Sequence, residues 1–263
     1  MNEGFFFCLI FPHSYILSMF FQNQHLAFLR KPHNIPSTRW KTESFLEQVF
    51  LQGKTSWTWE RWSWESLDLE FADSILDLHS QRWITQWNNL NTWVNHQQEM
   101  FTDQQEYGLL NRLDTPTAWL LYFANTSEVY EQRKSWQQAG RIQKYYIARS
   151  EWTQKPHVID RPLAHHTNGK NMLVVDDALI SSRRKQKMKG KPLPAQTKII
   201  ETIHRNDSSS TLLIQINKGR RHQIRVHLAH ADTPIIGDEL YWSTQPWPLQ
   251  LFSVGCLVED GIE

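Results

Sequence analysis

Two short blocks of this chain hold side chains that could do chemistry without a metal or a cofactor. The block Gly219–Ala229 reads Gly-Arg-Arg-His-Gln-Ile-Arg-Val-His-Leu-Ala, and the block Asn111–Asp114 ends in a carboxylate. A carboxylate can act as a nucleophile, and an arginine can pair with it through two hydrogen bonds while keeping a permanent charge. The sequence therefore raises the question of whether Arg225 and Asp114 share one site.

Each of these residues, taken alone, has an ordinary structural explanation. Asp114 precedes Thr-Pro-Thr, which is typical of a turn or a cap. Most arginines are solvated, so Arg225 by itself carries little information. Tyr146 lies in the segment Lys144–Ala148, where a core aromatic on a strand is the simplest interpretation. Only the combination of blocks favours an active site.

Together, the blocks resemble the catalytic motifs of the RluA-type RNA pseudouridine synthases. That family's carboxylate block reads His-Arg-Leu-Asp and continues through Thr-Ser-Gly into a leucine-rich strand, a pattern similar to residues 111–124. The block 219–229 matches the family's Gly-Arg-Thr-His-Gln-Ile-Arg-Val-His-Leu pattern except at Arg221. Residues 234–241 match its Pro-Ile-Val-Gly-Asp-x-Leu-Tyr continuation.

Two further blocks extend the resemblance over most of the chain, in the family's order. The segment Lys144–Ala148 is similar to a Lys-x-Tyr-x-Ala strand. His25–Pro32, together with Asn34–Pro36, resembles a worn form of the family's opening Leu-Val-Val-Asn-Lys-Pro-Ala-Gly-Leu segment. The C-terminal block, residues 219–241, is the most specific of the four blocks. The N-terminal block, residues 25–36, is the least specific.

The resemblance implies a role for individual residues. Asp114 would be the nucleophile that attacks the target uridine nucleotide, and Arg225 would be its charged partner. Tyr146 would stack on the flipped-out base, and Arg112 would help to fill the gap left in the RNA, because base flipping costs a few kcal/mol that such contacts must offset. The other residues implied in substrate binding are Asn111, Lys144, Arg220, His222 and Gln223.

The implied reaction is a cofactor-free isomerisation of uridine to pseudouridine in structured rRNA or tRNA. The glycosidic bond breaks, the uracil turns over, and its C5 atom rejoins the ribose. Attack by the carboxylate at the sugar C1′ and attack at the base C6 both remain open. Either route needs an ionised carboxylate, which a neighbouring guanidinium favours.

Apolar periodicity and turn residues predict the elements that must position these groups. The predicted strands cover residues 20–30, 119–124, 142–149, 195–203 and 211–217, and the predicted helices cover 44–52 and about 128–138. Ser127 is expected to cap the second helix, and Gly140 is expected to end it. Residues 205–210 are expected to form the turn between the last two strands.

One segment gives conflicting signals about its secondary structure. Ile224, Val226 and Leu228 alternate with polar residues, which is the pattern of a strand. The resemblance instead places residues 222–229 in a helix. Because period assignments over short runs are fragile, we expect a helix.

The predicted fold is α+β, with a pseudouridine-synthase-type catalytic domain. We expect a twisted, mostly antiparallel mixed sheet flanked by helices, with a central RNA-binding cleft. Residues 1–263 are expected to form one domain, with a tryptophan-rich, partly helical insert at about 53–100. No S4-type RNA-binding domain is expected ahead of Phe20.

Tryptophan is concentrated in this insert: seven of the thirteen tryptophans lie between Trp57 and Trp93. One interpretation is a packed helical insert whose rings cover the main body, and the other is a stacking surface for bases. Trp83, Trp87, Leu90 and Val94 recur at helical spacing, which favours the packed insert.

The formal net charge is +1, so RNA binding would have to depend on local basic patches. The run 183–191 holds six basic residues. It is either a solvated loop or a phosphate-binding segment. The residues expected to contact RNA phosphates are Arg183, Arg184, Lys185, Lys187 and Lys189.

Departures from the family pattern keep a second function open. Asn111 stands where the family has histidine, and Trp119 stands where it has glycine, so the ring could narrow the substrate cleft or reshape the strand. The alternative is a drifted, non-enzymatic RNA-binding or RNA-remodelling protein with the same fold. A carboxylate-dependent hydrolase would need a second carboxylate beside Asp114, and Asp238 and Asp103 qualify by type alone.

Composition sets further expectations. Cys8 and Cys256 have neither metal-type nor redox spacing, which favours a reducing cytoplasm. The apolar run 4–21 follows Glu3, contains no lysine or arginine and is interrupted at Pro12, so we expect buried strand material and no membrane segment. A signal peptide is the alternative interpretation of this run. The histidines offer no convincing third ligand, so no metal is expected. A monomer without an obligatory protein partner is the simplest assembly.

Overall fold

The computed structural model describes residues 20–22, 26–31, 34–38, 44–52, 90–151, 157–175, 187–205, 207–245 and 248–258. The chain forms two compact units, one from Met1–Ile142 with Phe252–Glu263 and the other from Gln143–Leu251. The expectation of one domain stays a prediction. Most of the expected insert, residues 53–89, lies outside the described residues, as do Cys8 and the apolar segment 4–19.

The described helices and strands are as follows. The strands are β1 Phe20–Gln22, β2 Leu26–Lys31, β3 Ala118–Ala124, β4 Ile142–Glu151, β5 Val158–Asp160, β6 Leu163–His166, β7 Met172–Val174, β8 Met188–Leu193, β9 Gln196–His204, β10 Ser209–Ile216 and β11 Leu251–Val258. The α-helices are α1 Leu90–Met100, α2 Ser127–Ala139 and α3 Gln223–His230. A π-helical turn covers Glu47–Leu51, and 3-10 segments cover Asp103–Gly108 and Glu239–Tyr241.

In the first unit, four strands lie in the order β1, β2, β3, β11. Strands β1, β2 and β3 pair antiparallel, whereas β11 runs parallel to β3, with Phe252 opposite Ala118. All seven residues of β3 are buried, which explains why its sequence is almost continuously apolar. The single strand predicted for residues 20–30 is wrong. Phe20 pairs with Leu29 across a hairpin, and a polar Asn-Gln-His tripeptide separates the two apolar segments.

The helices of this unit correct one prediction. Helix α2 begins after Thr126, whose hydroxyl accepts a hydrogen bond from the Val129 amide at 3.3 Å, so Thr126 and not Ser127 is the N-cap. Both residues can cap, and only the backbone geometry distinguishes them. Gly140 ends the helix at φ 78°, as predicted. The predicted helix at 44–52 is the π-helical turn.

Trp93 is the tryptophan of the insert that lies among the described residues. Its ring is buried and packs edge-on against Phe123, with ring centroids 5.3 Å apart. Its indole nitrogen donates to the Asn125 side-chain oxygen at 3.1 Å. For this residue the packed interpretation is therefore correct. The other six tryptophans between Trp57 and Trp87 lie outside the described residues.

In the second unit, four strands lie in the order β4, β10, β9, β5, and each pairs antiparallel with the next. Strands β9 and β10 and the turn between them confirm the predicted hairpin. A separate three-stranded sheet, in the order β7, β6, β8, was not predicted. Its strands β6 and β7 have three or four residues each, which is too short for a periodic signal.

The α+β prediction is confirmed: the described strands pair mostly antiparallel, β3 and β11 pair parallel, and few helices accompany them. Among the described residues, no helix is long and apolar enough to cross a membrane.

Helix α3 confirms the helical alternative for the segment around residue 225. All of its residues from Gln223 to Ala229 are buried, so the apolar alternation reflects burial on every side and not the two faces of a strand. Val226 and Ala229 pack in one core cluster with Met172 and Val174 of β7. The helix thus fills the space against the small sheet.

His227 attaches α3 to its neighbours. Its buried ring lies 2.8 Å from the Thr197 hydroxyl and 3.0 Å from the Arg161 carbonyl oxygen. Burial lowers the pKa of His227 from its ordinary 6.5 to about 4. The imidazole is therefore neutral in the folded chain at pH 7, and it is protonated in the unfolded chain below pH 6.5.

This difference predicts an acid-sensitive fold. The unfolded chain binds the extra proton between pH 6.5 and 4, so the stability due to neutral His227 is complete above pH 6.5 and is lost as the pH falls towards 4. The loss should reach about 3 kcal/mol. Denaturant unfolding of the wild type and of His227→Gln across this range measures it, with the exposed His165→Gln as control. Parallel stability curves for wild type and His227→Gln would contradict the assignment.

Candidate active site

Asp114 lies in an irregular segment of the first unit, immediately before β3. Its side chain is partly exposed, and its carbonyl oxygen accepts a hydrogen bond from the Thr117 amide at 3.0 Å. This bond closes a turn over residues 114–117, which brings the chain into the buried strand. The carboxylate is thus carried by a turn whose far end is fixed in the core.

Two side chains of the segment 31–37 hold the residues on either side of Asp114. The buried Ser37 hydroxyl accepts from the Leu113 amide and donates to the Leu113 carbonyl, both at 3.1 Å. The Lys31 ammonium donates to the Thr115 carbonyl at 3.1 Å and to the Ile35 carbonyl at 2.8 Å. The backbone before and after the carboxylate is therefore fixed by hydrogen bonds from one neighbouring segment.

Lys31 also brings a buried charge close to Asp114. Its side chain is 0% exposed, and burial lowers its pKa from 10.5 to about 7, while the negative charge of Asp114 acts in the opposite direction. A burial penalty of this size is tolerated only where the ammonium makes specific contacts. Sequence reasoning did not assign Lys31 or Ser37 to the site; the signal was the Lys-Pro pair in the weak N-terminal block.

Asn111 acts on the neighbouring strand. Its amide nitrogen donates to the Leu120 carbonyl at 3.2 Å, and its amide oxygen accepts from the Tyr122 amide at 2.8 Å. The Leu110 amide also donates to the Tyr122 carbonyl at 2.9 Å. The buried side chain thus continues the pairing of residues 109–111 with β3, and it supports the strand that follows Asp114.

Arg112 points in the opposite direction. Its side chain is 67% exposed, and its Nε donates to Glu106 at 3.1 Å. A second hydrogen bond joins its guanidinium to the other oxygen of the same carboxylate. An exposed arginine that is held by one carboxylate can exchange that partner for a phosphate or a base. The expected RNA contact of Arg112 stays a prediction.

Trp119 occupies an unusual backbone conformation at the start of β3. Its φ is 82°, a region that favours glycine, and holding another residue there costs about 1–3 kcal/mol. Its ring is 3% exposed and packs against Phe252 of β11, with ring centroids 4.6 Å apart. Within its unit, Trp119 therefore adopts a glycine-type backbone conformation and fills the core, and its two expected effects on the cleft and the strand stay predictions.

In the second unit, Arg225 of α3 forms a bidentate ion pair with Asp238. The guanidinium Nε and one terminal nitrogen each donate to a different carboxylate oxygen at 2.8 Å. Arg225 is 4% exposed, and the Asp238 side chain is fully buried. The guanidinium carbon also lies 5.3 Å from the ring centroid of Tyr241. These contacts give the arginine one orientation.

Asp238 and Tyr241 were not identified as site residues from the sequence. Asp238 was considered only as a second carboxylate for a hydrolase, and in the structure that carboxylate is paired with Arg225. The available signal was the Gly-Asp-x-Leu-Tyr continuation of the C-terminal block. The role of this motif is visible only in the structure, where the short segment 235–241 folds back against α3 and Asp238 pairs with Arg225.

Tyr146 and Lys144 lie on β4, where Tyr146 pairs in register with Ile214 of β10. Both side chains are buried. The Lys144 ammonium lies close to Gly219, since a Cβ at that glycine would be 3.8 Å from it. The strand thus places Lys144 against the loop that leads into α3.

The loop before α3 is braced by Gln223 and His222. The Gln223 side-chain oxygen accepts from the Arg220 amide at 3.0 Å, and its nitrogen donates to the Gln196 carbonyl at 2.8 Å. His222 Nδ1 lies 2.9 Å from the Tyr241 hydroxyl. These side chains therefore position the loop, and their expected contacts with substrate stay predictions.

The residues implied by the motifs are divided between the two units. Asp114, Arg112 and Asn111 belong to the first, and the remaining described members belong to the second. The pairing of Asp114 with Arg225 stays a prediction. Arg183, Arg184 and Lys185 lie outside the described residues, whereas Lys187 and Lys189 are exposed.

In the described ranges, no group of three or more histidine, cysteine, aspartate or glutamate side chains could hold a metal ion.

The chain is similar in sequence to known RNA-modifying proteins. Residues 25–230 match the family model of RNA pseudouridylate synthase. "Ribosomal large subunit pseudouridine synthase D" from Nitrosomonas europaea is 30% identical over 162 residues, which are 60% of this chain and 42% of that protein. An uncharacterized RNA pseudouridine synthase from Chloroflexus aurantiacus is 32% identical over 139 residues, 51% of this chain and 38% of that protein. The chain thus spans less than half the length of these relatives.

Solved structures show the same fold. Human RNA pseudouridylate synthase domain containing 1 superposes with a TM-score of 0.55 at 16% identity, covering 97% of this chain and 83% of that one. Human RNA pseudouridylate synthase domain containing 4 superposes with a TM-score of 0.56 at 18% identity, covering 92% and 88%. Because the family model covers most of the chain and includes all four motif blocks in part or in full, this chain belongs to the RNA pseudouridylate synthase family.

Proposed function

We propose that this chain isomerises uridine to pseudouridine in structured RNA, with Asp114 as the nucleophile. The observation that carries the proposal is the turn of Asp114, which is partly exposed and yet held through Leu113 and Thr115 by Ser37 and Lys31. Fixing a reactive group before substrate arrives is a large source of catalytic rate. Membership in the family supports the same reaction.

The proposed reaction conserves all the atoms of the nucleotide. The carboxylate of Asp114 attacks the uridine at C1′ or at C6, and the bond between N1 and C1′ breaks. The uracil rotates, C5 forms a bond with C1′, C5 loses its proton and N1 gains one. Because the carboxylate leaves unchanged, the step needs no oxidant, reductant or group carrier.

The other side chains would bind and orient the nucleotide. Tyr146 offers a flat apolar face for the flipped base, and base–aromatic stacking contributes about 1–3 kcal/mol. Arg225, which Asp238 orients, supplies a permanent positive charge for the carboxylate or for the developing negative charge. Arg112 is exposed and can enter the RNA stack.

We infer that the substrate is rRNA of the large ribosomal subunit, because relatives that share 30% identity carry that activity in their names. The enzyme would act in the cytoplasm as a monomer, without an obligatory protein partner. The rRNA inference rests on relatives that are more than twice as long as the matched region.

The direct test is pseudouridine mapping of cellular RNA with and without the gene, followed by complementation. Asp114→Asn keeps the shape of the side chain and removes its nucleophilic charge, so it should reduce modification by roughly 10³-fold or more. Asp160→Asn, a matched change of an exposed carboxylate, should restore the wild-type pattern. A map that does not change on gene loss would reject the enzyme, and full restoration by Asp114→Asn would reject the nucleophile.

The Arg225–Asp238 pair predicts a second effect. Asp238→Asn leaves a buried guanidinium without its counter-charge, which costs about 3–5 kcal/mol of stability and disorders the arginine. Unfolding free energy and turnover should both fall. Glu239→Gln, at the exposed neighbouring position, should change neither.

Stability and activity can then be separated in a double variant. Arg225→Met with Asp238→Leu removes both buried charges, so it should recover most of the unfolding free energy. Turnover should remain low, because the guanidinium is absent. Recovery of turnover together with stability would show that Arg225 only supports the fold.

Lys31 predicts a kinetic effect in the first unit. Lys31→Met keeps the length and apolar stem of the side chain but removes the donors to Thr115 and Ile35. Misplacement of the Asp114 turn should lower kcat by roughly tenfold or more, with KM for RNA little changed, because the lysine is buried away from solvent. Lys134→Met on α2 is the matched control. A change confined to KM, or no change, would contradict a positioning role.

A further inference from the structure

The three-stranded sheet of the second unit carries charge of a single sign. Residues 163–175 and 187–195, which we call the basic sheet, contain no aspartate or glutamate. Its lysines are all exposed: Lys170, Lys187, Lys189 and Lys191. With the segment that joins the two ranges, residues 163–195 contain seven lysines and arginines against two acidic residues, Asp176 and Asp177. The whole chain has 28 lysines and arginines against 27 acidic residues, so this part of the sequence is more basic than the net charge suggests.

The loop before α3 adds to this field. Lys218 is exposed, and the Nε of Arg220 donates to the Pro194 carbonyl at the end of the basic sheet, at 3.3 Å. Arg221 donates to the carbonyls of Gly169 and Lys170 at 3.0 and 3.1 Å. Both arginines therefore join the loop that leads to Arg225 to the basic sheet, and the loop adds three basic residues beside the lysines of that sheet.

Arg221 fixes the turn between β6 and β7. The Asn168 side-chain oxygen organises that turn by accepting from the Lys170 and Asn171 amides at 2.9 and 3.1 Å. Behind it, the Met172 amide donates to the Tyr241 hydroxyl at 2.8 Å. Arg221 stands where the family pattern has threonine, so this chain carries an added guanidinium that joins the turn to the loop.

We propose that the basic sheet binds phosphates of the RNA backbone and that Arg221 holds it against the loop before α3. The inference rests on the proposed function, since it takes RNA as the ligand. It assigns Lys170, Lys191 and Arg221 to RNA binding, beyond the residues implied by the motifs. Lysines are point charges without a preferred geometry, so they suit a backbone contact that does not depend on base sequence.

The salt dependence of RNA binding tests the proposal. The probe is a synthetic uridine-containing RNA stem–loop, and its affinity for the full chain is measured over a series of KCl concentrations. The triple variant Lys170→Gln, Lys189→Gln and Lys191→Gln should bind more weakly. Its plot of log affinity against log salt should be less steep by roughly 0.7–0.9 for each phosphate that the variant no longer neutralises. The exposed Lys198→Gln on β9 is the matched control and should keep the wild-type slope.

A second variant tests the role of Arg221. Arg221→Thr leaves the lysines in place, so affinity should fall several-fold with a smaller change of slope than in the triple variant. The amide hydrogens of residues 168–172 should exchange faster, because the turn loses two hydrogen bonds. Unchanged exchange and unchanged affinity would overturn the role of Arg221.

The outcomes separate this surface from the proposed reaction. A triple variant with the wild-type slope overturns the surface, even if the enzyme forms pseudouridine normally. Wild-type protein that binds anionic lipid vesicles but not the RNA also overturns it. If the slope falls as expected but gene loss changes no uridine in cellular RNA, the surface stands and the pseudouridine synthase proposal fails.

Discussion

A nucleophile must lie where substrate can reach it, and Asp114 lies on backbone that belongs to no strand or helix. Asp114, the proposed nucleophile, is carried on a turn whose neighbouring residues are each held by a hydrogen bond. Ser37 binds both backbone groups of Leu113, and Lys31 binds the Thr115 carbonyl. The turn then enters β3, which is buried along its whole length. The carboxylate thus combines partial exposure with a backbone fixed by buried side chains.

Lys31 and the Arg225–Asp238 pair illustrate the same energetic choice in the two units. Burying an ammonium or an ion pair costs several kcal/mol, which apolar side chains of similar volume would avoid. In each unit the buried charge instead binds a specific group: two carbonyls for Lys31 and one carboxylate for Arg225. Burial restricts each of these side chains to a single orientation, because any other orientation would leave a buried charge without a partner. In this protein, the buried charges support geometry more than stability.

Sequence patterns predicted the elements that have a long apolar period or a clear stop. Strands β3, β4, β9 and β10 and the end of α2 at Gly140 were found in this way. The motif resemblance was needed for α3, because a helix buried on all sides gives no helical stripe. The hairpin of β1 and β2 and the short strands β6 and β7 were missed because β1, β6 and β7 have only three or four residues each, too few to show a period. Strands β8 and β11, with six and eight residues, were not predicted either.

The sequence identified the candidate site residues that belong to a motif. It did not identify the residues whose role depends on contacts with distant parts of the chain. Thr126 and Ser127 are equivalent caps until the backbone selects one. Asp238 is an ordinary aspartate until a segment 13 residues beyond Arg225 folds back onto the helix. The role of Lys31 became clear only from its hydrogen bond to the Thr115 carbonyl, 84 residues away in the sequence. Contacts of this kind depend on tertiary structure, so the local motifs that contain these residues did not reveal their partners.

The departures from the family pattern act mainly on the scaffold. Asn111 completes the edge of β3, and Trp119 fills the space against Phe252 at the cost of a glycine-type φ. Arg221 joins a turn of the basic sheet to the loop before α3. Each substitution adds contacts within one unit and leaves Asp114, Tyr146 and Arg225 in place. The three residues on which the proposed reaction depends thus keep the residue types of the family motifs, and the departures lie in side chains that contact the surrounding scaffold.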